Sequence, residues 1–457
     1  MRELKIGTSW VRGVVGDALT PDLVLNFACA FGTWGGGGAV IVGRDTRQSS
    51  PMLHSAVLSG LMSQGCEIID LGVCPTPVIS FAVRELGAAG GLSITGSHNS
   101  SRWNALKFIG ADGALLNPVK SEELLDIYHA AAFKNVSFEH LKPVDDSVEA
   151  TSLIDRYFEY LLAALDVKPI RKRAFRVAID FCNGSGATVM SRFLKELGCT
   201  LLPLNDDPSS QFAHDPSPSI ANMRQLVGAM VNLDADLGAV INIDGDRIGF
   251  ITSEGVPLSE EYTLPLAAMS RFSRRPGPVV TNLSTSRMID TLARQYGQRV
   301  IRTSVGEGYV IDRGLEEGAV LAGEGNGGVG ALPTTMTFDA MLTLAMVLES
   351  MATQDLSPGE VSQQLPKFIM RKGELACPPD QVYRVLEEFR TTYSDTKPDV
   401  TDGVRAEWDD AWIHVRASNT EPLLRIIVEA ESESRANHLF EDAEARSRRT
   451  FQGRRKI

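Results

Sequence analysis

Three stretches of the chain repeat one order of elements: a short β-branched strand, a polar turn, an amphipathic helix, a glycine and a second strand. They cover residues 39–72, 176–204 and 278–304. Each stretch predicts a βαβ unit, because apolar residues recur with period 2 in the strands and with period 3.6 in the helix. Such units form largely parallel sheets with helices on both faces. The sequence therefore predicts three α/β domains.

The C-terminal part follows a different order. Residues 411–418 and 422–431 have the pattern of two strands, and a charged helix follows over about residues 433–449. This order is typical of a smaller α+β domain. A chain of 457 residues accommodates three or four domains at ~100–200 residues each. We predict domains at residues 1–150, 151–253, 254–367 and 368–457, with linkers near residues 144–152, 252–257 and 366–372.

The charge and the apolar runs exclude two classes of partner. The formal net charge is −12, and no block rich in Lys or Arg precedes the short basic tail. Nucleic acids are excluded, because binding them requires a concentrated basic face. Five glycines interrupt residues 23–42, the most apolar early stretch, so no membrane span is expected. The N-terminus lacks the apolar region of a signal peptide, and we expect a soluble cytoplasmic protein.

Six cysteines are scattered along the chain without a C-x-x-C pair. Several lie in apolar runs, where a cysteine packs as a small hydrophobic residue. We therefore expect buried free thiols rather than disulfides or zinc ligands.

The serine loop, residues 92–101, ends an apolar strand with the polar run TGSHN at residues 95–99. Gly, Ser and Asn are ordinary turn residues, so a simple turn explains the loop by itself. Lys107 lies in the next apolar stretch, and a cation near the hydroxyl of Ser97 favours negative charge there, including a phosphate group. The loop alone leaves both interpretations open.

The aspartate loop, residues 240–250, places Asn242, Asp244 and Asp246 at alternate positions between apolar residues. Three side-chain oxygens at this spacing can converge on Mg²⁺, which prefers oxygen ligands. Two carboxylates at the end of a buried strand also repel each other unless a positive charge lies between them. The alternative is a turn in which an aspartate pairs with Arg247.

The glycine loop, residues 321–330, contains Glu324 and Asn326 as its only polar side chains, among glycines. A carboxylate and an amide suit the hydroxyls of a sugar, and glycine lets the backbone approach a ligand closely. A flexible turn without a ligand explains the same composition.

The arginine loop, residues 415–426, concentrates guanidinium, hydroxyl and amide donors between two strands. Its donors are Arg416, Ser418, Asn419, Thr420 and Arg425. Because arginine presents a planar fork of donors, this set predicts a phosphate site. The alternative is a turn whose arginines pair with Glu421 or Glu429.

Taken in order, the four loops resemble the signature loops of the α-D-phosphohexomutase family. The family loops read T-A-S-H-N-P, D-x-D-x-D-R, G-E-x-N-G-G in one variant, and R-x-S-N-T-E-P. The resemblance also includes GTSWVRG (7–13), GRDTRQSSP (43–51) and CPTPV (74–78), and it covers almost the whole chain. Each motif alone is moderately specific, whereas all four at domain-like intervals are strongly specific.

The resemblance implies an α/β enzyme with four domains around a central cleft: three doubly wound α/β domains with mixed sheets and a C-terminal α+β domain. It implies transfer of phosphate between O1 and O6 of a hexose through phospho-Ser97 and a hexose 1,6-bisphosphate. The implied catalytic residues are Ser97, Lys107, Arg12 and His98. The implied Mg²⁺ ligands are Ser97 through its phosphate, Asn242, Asp244 and Asp246. The implied substrate-binding residues are Arg247, Glu324, Asn326, Arg416, Ser418, Asn419, Thr420 and Arg425.

The chain departs from the family pattern at three places. Asn242 replaces an aspartate, and since an amide oxygen can still coordinate, we expect weaker metal binding. Gly96 replaces alanine and Ser100 replaces proline, which should loosen the serine loop. Gly328 stands where many bacterial members have a histidine, which leaves the general acid or base open, with Lys107 the nearest candidate.

The expected activity is the conversion of glucosamine 6-phosphate to glucosamine 1-phosphate, by a monomer or homodimer. Glu324 and Asn326 should contact the O3 and O4 hydroxyls, which glucose and glucosamine share. Phosphomannomutase or phosphoglucomutase activity is therefore the alternative. A non-catalytic sugar-phosphate sensor is a different hypothesis, supported by Asn242. A phosphatase is disfavoured, because the serine loop lacks the paired metal ligands of such enzymes.

Overall fold

A computed structural model describes residues 4–145, 150–418 and 422–452. Its strands are β1 (Lys5–Ile6), β2 (Trp10–Val14), β3 (Ala39–Arg44), β4 (Glu67–Val73), β5 (Gly90–Ile94), β6 (Trp103–Gly110), β7 (Val144–Asp145), β8 (Arg176–Asp180), β9 (Thr200–Leu204), β10 (Leu237–Ile241), β11 (Ile248–Thr252), β12 (Val279–Asn282), β13 (Val300–Thr303), β14 (Leu321–Gly323), β15 (Val329–Gly330), β16 (Ile369–Ala376), β17 (Val404–Glu407), β18 (Ala411–Ala417) and β19 (Leu423–Ala430).

The α-helices are α1 (Pro21–Trp34), α2 (Ser50–Ser63), α3 (Thr76–Glu85), α4 (Pro118–His129), α5 (Ala150–Ala163), α6 (Val167–Arg173), α7 (Met190–Glu196), α8 (Arg224–Leu233), α9 (Thr263–Arg274), α10 (Met288–Gln295), α11 (Glu307–Glu316), α12 (Ala340–Gln354), α13 (Pro358–Gln363), α14 (Pro379–Thr392) and α15 (Glu433–Gln452). Short 3-10 helices lie at Phe138–His140, Ser185–Thr188, Ile220–Asn222, Glu260–Tyr262 and Ser394–Thr396.

The first domain has a mixed sheet in the order β1-β2-β6-β5-β3-β4-β7. Strands β5, β3, β4 and β7 run parallel, and β1, β2 and β6 pair antiparallel. Successive side chains of a strand point to opposite faces. Val40 and Val42 accordingly pack in the core with residues of α1 and α2, whereas Ile41 packs in the core with residues of α3. Both faces of the sheet are therefore covered by helices.

The second and third domains have smaller mixed sheets, in the orders β11-β10-β8-β9 and β13-β12-β14-β15. The three predicted βαβ units are confirmed, because β3 pairs parallel with β4, β8 with β9, and β12 with β13. One apolar cluster includes Ile79 of the first domain, Phe193 of the second and Leu344 of the third. These three domains thus share a continuous core, which limits how far their loops can move apart.

The fourth domain is an antiparallel sheet in the order β16-β19-β18-β17. Helices α14 and α15 pack against it around Phe389, Leu424 and Ile426. The predicted α+β architecture and the four-domain organisation are confirmed. The individual boundaries at residues 150, 253 and 367 remain predictions.

Two further expectations concern cysteines and helices. All six cysteines are free; Cys199 is half-buried and the others are buried, as expected of packed thiols. Within the described ranges, no helix combines the length with the apolarity that crossing a bilayer requires.

Chain reversals after four strands bring the predicted loops to one cleft. The serine loop follows β5, the aspartate loop joins β10 to β11, the glycine loop joins β14 to β15, and the arginine loop joins β18 to β19. The amide of Thr76 donates to the carbonyl of Asp244 at 2.9 Å, and the amide of Ile248 donates to the carbonyl of Gly327 at 3.0 Å. These backbone bonds join the first, second and third domains at the cleft.

Candidate active site

Ser97 is held at the cleft in an uncommon backbone conformation. Its φ of 49° lies in the left-handed region, which costs energy for a residue other than glycine. The hydroxyl of Thr95 accepts the amide of Ser97 at 2.9 Å and stabilises this turn. The Ser97 hydroxyl oxygen in turn lies 3.2 Å from Nδ2 of Asn242. The loop therefore places one hydroxyl against the aspartate loop of another domain.

Arg47, which was not among the predicted site residues, holds the serine loop in place. Its guanidinium donates to the carbonyls of Ser97 at 2.7 Å, Asn99 at 2.6 Å and Ser100 at 2.6 Å. A Cβ at Gly96 would lie 2.8 Å from the guanidinium carbon. The glycine that was expected to loosen the loop thus makes room for the residue that holds it. Its place in the GRDTRQSSP motif was the available sequence signal.

Lys107 bridges the two aspartates of the neighbouring domain. Its Nζ lies 2.6 Å from Oδ2 of Asp244 and 2.6 Å from Oδ2 of Asp246. Burial by itself lowers the pKa of Lys107, but the charges of Asp244 and Asp246 outweigh burial and raise that pKa above its ordinary value. Lys107 is therefore an ammonium in this site, and the positive charge that the two carboxylates require comes from the protein.

Asn242 presents its amide nitrogen, not its oxygen, to this cluster. Oδ1 of Asn242 accepts the backbone amides of Asp246 at 3.1 Å and Arg247 at 3.0 Å. Because a backbone N–H can only donate, the oxygen must face these amides. Nδ2 then donates to Oδ1 of Asp244 at 2.9 Å and of Asp246 at 2.5 Å. In this arrangement the Asn242 oxygen is turned away from the aspartates, and its role as a metal ligand stays a prediction.

The site fits Mg²⁺ through fewer ligands than the sequence predicted. The carboxylates of Asp244 and Asp246 and the oxygen of Ser97 are hard donors of the kind Mg²⁺ prefers. Asn242 adds an N–H group, which cannot coordinate. The described part of the chain contains no cluster of three or more His, Cys, Asp or Glu side chains arranged to hold a metal. Two carboxylates plus a phosphate oxygen would be the protein's share of the coordination.

Glu324 and Asn326 of the glycine loop form a connected pair of polar groups. The Glu324 carboxylate accepts Nδ2 of Asn326 at 2.7 Å, Nδ2 of Asn282 at 2.7 Å and the amide of Gly306 at 2.8 Å. This network fixes the carboxylate at the cleft wall, where it can accept hydrogen bonds from hydroxyl groups. Asn282 was missed because it lies at the end of β12, far from the glycine loop in sequence.

Gly328 is a glycine for a steric reason. A Cβ at this position would lie 2.2 Å from the ring of Phe338, which is fully buried. The histidine that many family members carry here therefore has no space in this chain without displacement of Phe338. A proton donor or acceptor must come from another position.

Arg416 and Arg425 are directly opposite each other on β18 and β19. Like charges in such a cross-strand pair repel, unless an anion lies between them. Nε of Arg416 donates to Asp402 at 3.0 Å, and among the described residues one of its buried guanidinium nitrogens has no partner. Arg425 forms an ion pair with Glu374 at 3.2 Å. The geometry favours an anion site.

The arginine loop is described only in part. Ser418 lines the cleft, whereas Asn419 and Thr420 lie outside the described residues. The alternative pairing of these arginines with Glu429 is wrong, because that carboxylate instead accepts Nε1 of Trp412 at 2.7 Å and the amide of Arg287 at 3.0 Å.

Three further charged or titratable residues surround Ser97. Arg12 stacks on the ring of Trp10 at 4.3 Å, and burial with the neighbouring Arg247 lowers its pKa to about 10, so it stays charged near neutral pH. Burial, together with Arg247 and Arg12, holds the pKa of His98 well below its ordinary value, so this imidazole is neutral. Nε of Arg247 lies 3.8 Å from Oδ1 of Asp246.

Glu307 lines the cleft and was not among the predicted site residues. It begins α11 directly after Gly306, and its carboxylate accepts the amide of Phe338 at 2.8 Å. Burial raises the pKa of Glu307 to about 8, even though Lys107 lowers it. A carboxyl with this pKa exchanges protons near neutral pH. An acidic residue between two glycines at the start of a helix was the only sequence signal.

One cavity of about 400 Å³ joins these residues, with contributions from all four domains. Of the residues predicted for the site, it is lined by Arg12, Ser97, His98, Lys107, Asp246, Arg247, Glu324, Asn326, Arg416, Ser418 and Arg425. Asn242 and Asp244 are buried behind Lys107 and Ser97, through the contacts described above.

Comparison with known proteins matches each domain to one description. The phosphoglucomutase/phosphomannomutase α/β/α domains I, II and III match residues 3–135, 155–255 and 259–368, and the C-terminal domain of the same family matches residues 373–446. The chain is 36% identical to a probable phosphoglucosamine mutase of Methanopyrus kandleri, over 95% of this chain and 96% of that protein. It is 33% identical to a phosphoglucomutase/phosphomannomutase of Thermococcus kodakarensis, over 95% and 96%.

The fold shows the same relationship. The crystal structure of a phosphoglucomutase/phosphomannomutase family protein from Burkholderia thailandensis superposes with a TM-score of 0.83 at 27% identity, and the match covers 98% of this chain and 97% of that one. The four domain matches, the full-length relatives and the loop geometry agree. The chain belongs to the α-D-phosphohexomutase family and is a phosphohexomutase, an isomerase that transfers phosphate within a hexose phosphate.

Proposed function

We propose that this enzyme interconverts glucosamine 6-phosphate and glucosamine 1-phosphate through a phosphoryl group on Ser97. The observation that carries the proposal is one cavity lined both by the Ser97 loop and by the Arg416–Arg425 pair. A nucleophile and a separate anion site in one cavity suit a substrate that keeps one phosphate bound while the other is transferred. The mannose and glucose phosphates are the alternative substrates.

The first half of the reaction moves phosphate from the enzyme to the sugar. The O1 hydroxyl of the hexose 6-phosphate attacks phosphorus on Ser97 and the bond from phosphorus to Oγ breaks. The O1 proton passes through a base to the leaving Oγ. The product is a hexose 1,6-bisphosphate and a free serine. Arg12 and the Lys107 ammonium border the Ser97 site, and positive groups there stabilise negative charge on the transferred phosphoryl group.

The second half returns the other phosphate. The bisphosphate turns so that its 6-phosphate faces Ser97, while the 1-phosphate occupies the Arg416–Arg425 site. The serine hydroxyl attacks this phosphorus and gives its proton to the base, the bond to O6 breaks, and O6 receives that proton. Glu324 and Asn326 would contact the O3 and O4 hydroxyls in both orientations, since these lie between the two phosphates on the sugar.

We assign the proton transfers to Glu307 rather than to Lys107. Lys107 is held protonated by two carboxylates, so it cannot accept a proton in the state described. The pKa of Glu307, raised to about 8 by burial, suits a group that accepts and returns protons near neutral pH. Bound Mg²⁺, held by Asp244, Asp246 and the phosphate of Ser97, would stabilise the charge of the transferred group.

A sugar-phosphate sensor is the second candidate, because the carboxylates of Asp244 and Asp246 are already in contact with Asn242 and Lys107. A sensor would bind hexose phosphates without carrying phosphate on Ser97. Against it stands the position of Ser97 on the cavity wall beside Arg12 and Lys107, which a binding protein does not require.

The test combines turnover with intact-mass measurement. Purified enzyme, primed with glucose 1,6-bisphosphate and Mg²⁺, is assayed with the 6-phosphates of glucosamine, glucose and mannose. We expect one phosphate per chain, and the highest kcat/KM with glucosamine 6-phosphate. Ser97→Ala should keep the wild-type melting temperature but lose both the phosphate and nearly all turnover, whereas Ser100→Ala, at an exposed neighbour, should keep both. Wild-type rates in Ser97→Ala would refute the proposal.

A further inference from the structure

We infer that divalent-ion binding at this site depends on phosphorylation of Ser97, because Asn242 and Lys107 satisfy both carboxylates when the phosphate is absent. This inference rests on the proposed function, in which Ser97 carries the phosphoryl group. It concerns the order of events: the ion joins the phosphorylated enzyme and is held weakly by the unphosphorylated one.

The unphosphorylated site already has a donor on every carboxylate oxygen. Nζ of Lys107 lies 2.6 Å from Oδ2 of Asp244 and from Oδ2 of Asp246. Nδ2 of Asn242 donates to the two Oδ1 atoms, at 2.9 Å and 2.5 Å. The hydroxyl of Thr76 adds a second donor to Oδ2 of Asp244 at 3.2 Å. An entering cation must therefore displace hydrogen bonds that are already made.

Asn242 cannot change role by turning its amide group. Its oxygen accepts the buried amides of Asp246 and Arg247. A reversed amide would place an NH₂ group against two backbone N–H groups, which would leave those buried donors without acceptors. The NH₂ group therefore stays directed at Asp244, Asp246 and Ser97, whatever enters the site.

The net charge of Asp244, Asp246 and Lys107 leads to the same conclusion. Two carboxylates and one ammonium sum to −1, whereas an aspartate in place of Asn242 would bring the sum to −2. A phosphate on Ser97 adds about −1.5 to −2 charges and three acceptor oxygens. Those oxygens offer new acceptors for Lys107 and for the NH₂ group of Asn242, and they are ligands that Mg²⁺ uses readily together with one or two carboxylates. Phosphorylation thus supplies the negative charge that the site lacks because Asn242 stands in place of an aspartate.

The test measures binding directly, with Mn²⁺ as a paramagnetic probe detected by electron paramagnetic resonance. Wild-type protein is prepared with Ser97 phosphorylated by glucose 1,6-bisphosphate, and with Ser97 freed by excess glucose 6-phosphate, each verified by intact mass. We expect Mn²⁺ affinity at least about ten-fold higher in the phosphorylated form. In the unphosphorylated state, Asn242→Asp should raise Mn²⁺ affinity by at least about ten-fold over wild type. Asn135→Asp, which adds the same charge at an exposed site, should leave the affinity unchanged.

Each result decides the matter. Equal Mn²⁺ affinity of the two wild-type forms overturns the inference, and so does an unphosphorylated Asn242→Asp protein that binds no better than wild type. If Asn242→Asp does not fold, the comparison of the two wild-type forms still decides. If Ser97 accepts no phosphate from the bisphosphate, the proposed function fails instead, and the unphosphorylated comparison of Asn242→Asp with wild type still tests the role of Asn242.

Discussion

Lys107 and Asp246 form a buried ion pair between the first and second domains, with 2.6 Å between Nζ and Oδ2. Both side chains are almost completely buried, and the same ammonium contacts Asp244. The pair does two things at once. It joins two domains at the base of the cleft, and it keeps a positive charge beside Ser97.

Lys107→Gln should remove this charge while it keeps a hydrogen-bond donor of similar reach. We expect kcat to fall by at least about 100-fold, because the positive charge near the transferred phosphoryl group is lost. The melting temperature should also fall, since two buried carboxylates lose their counter-ion. Lys120→Gln is the matched control, because Lys120 pairs with Asp112 at the protein surface, where an ion pair contributes little. Activity within about three-fold of wild type in Lys107→Gln would contradict a role for this charge.

Arg47→Lys should affect catalysis without contact between Arg47 and the substrate. Lysine keeps the positive charge and can reach Asp45, but it cannot donate to three carbonyls of the serine loop at once. We expect the rate of Ser97 phosphorylation, followed by intact mass, to fall about 10- to 100-fold, with KM changed less than about three-fold. Arg102→Lys, at an exposed site beside the same loop, should behave as wild type. Equal phosphorylation rates in the two variants would show that the brace has no catalytic effect.

Glu307→Gln tests the assignment of the proton transfers. If Glu307 accepts the hydroxyl proton, activity requires the ionised carboxylate, so kcat of wild type should rise with pH up to the raised pKa of about 8. The charged groups that influence this carboxyl are Lys107, Asp246 and Arg247. The variant should lose about 100-fold or more in kcat, and the pH dependence in this range should disappear. Glu260→Gln, a cleft carboxylate paired with Lys372, should keep the wild-type pH profile. An unchanged pH profile in Glu307→Gln would show that a group other than Glu307 transfers the proton.

Asp339 gives a prediction about stability that is independent of the active site. Its carboxylate caps α12 by accepting the amides of Met341 and Leu342, and it accepts the hydroxyl of Tyr157 at 2.6 Å. Burial raises the pKa of Asp339 from 3.8 to about 6. Between these values the folded protein binds a proton that the unfolded chain does not, so the contribution to stability is present at low pH and is lost as pH rises through about 6.

Asp339→Asn cannot titrate, and its amide oxygen can still cap the helix. The melting temperature of the variant relative to wild type should therefore increase between about pH 4.5 and about pH 7.5. Asp355→Asn, at an exposed carboxylate after the same helix, should show a constant difference over this range. A constant difference for Asp339→Asn as well would mean that its pKa is not raised in the folded protein.

The βαβ units, the α+β end domain and the order of the four loops follow from the amino-acid sequence alone. Periods of 2 and 3.6 are local properties, so a strand such as Ala39–Arg44 and a helix such as Ser50–Ser63 can be predicted from neighbouring residues. The loop residues that line the cleft were also predicted, because each motif is contiguous. Ser97, Glu324 and Arg416 are examples.

The roles of several of these residues depend instead on contacts that form when the chain folds. Lys107 meets aspartates 137 and 139 positions away, Arg47 reaches a loop about 50 positions away, and Glu307 enters the cleft from the third domain. The direction of the Asn242 amide followed from two backbone N–H groups that compete for its oxygen. Hydrogen-bond partners and pKa values depend on distances and burial between segments remote in sequence, and those are set when the domains pack.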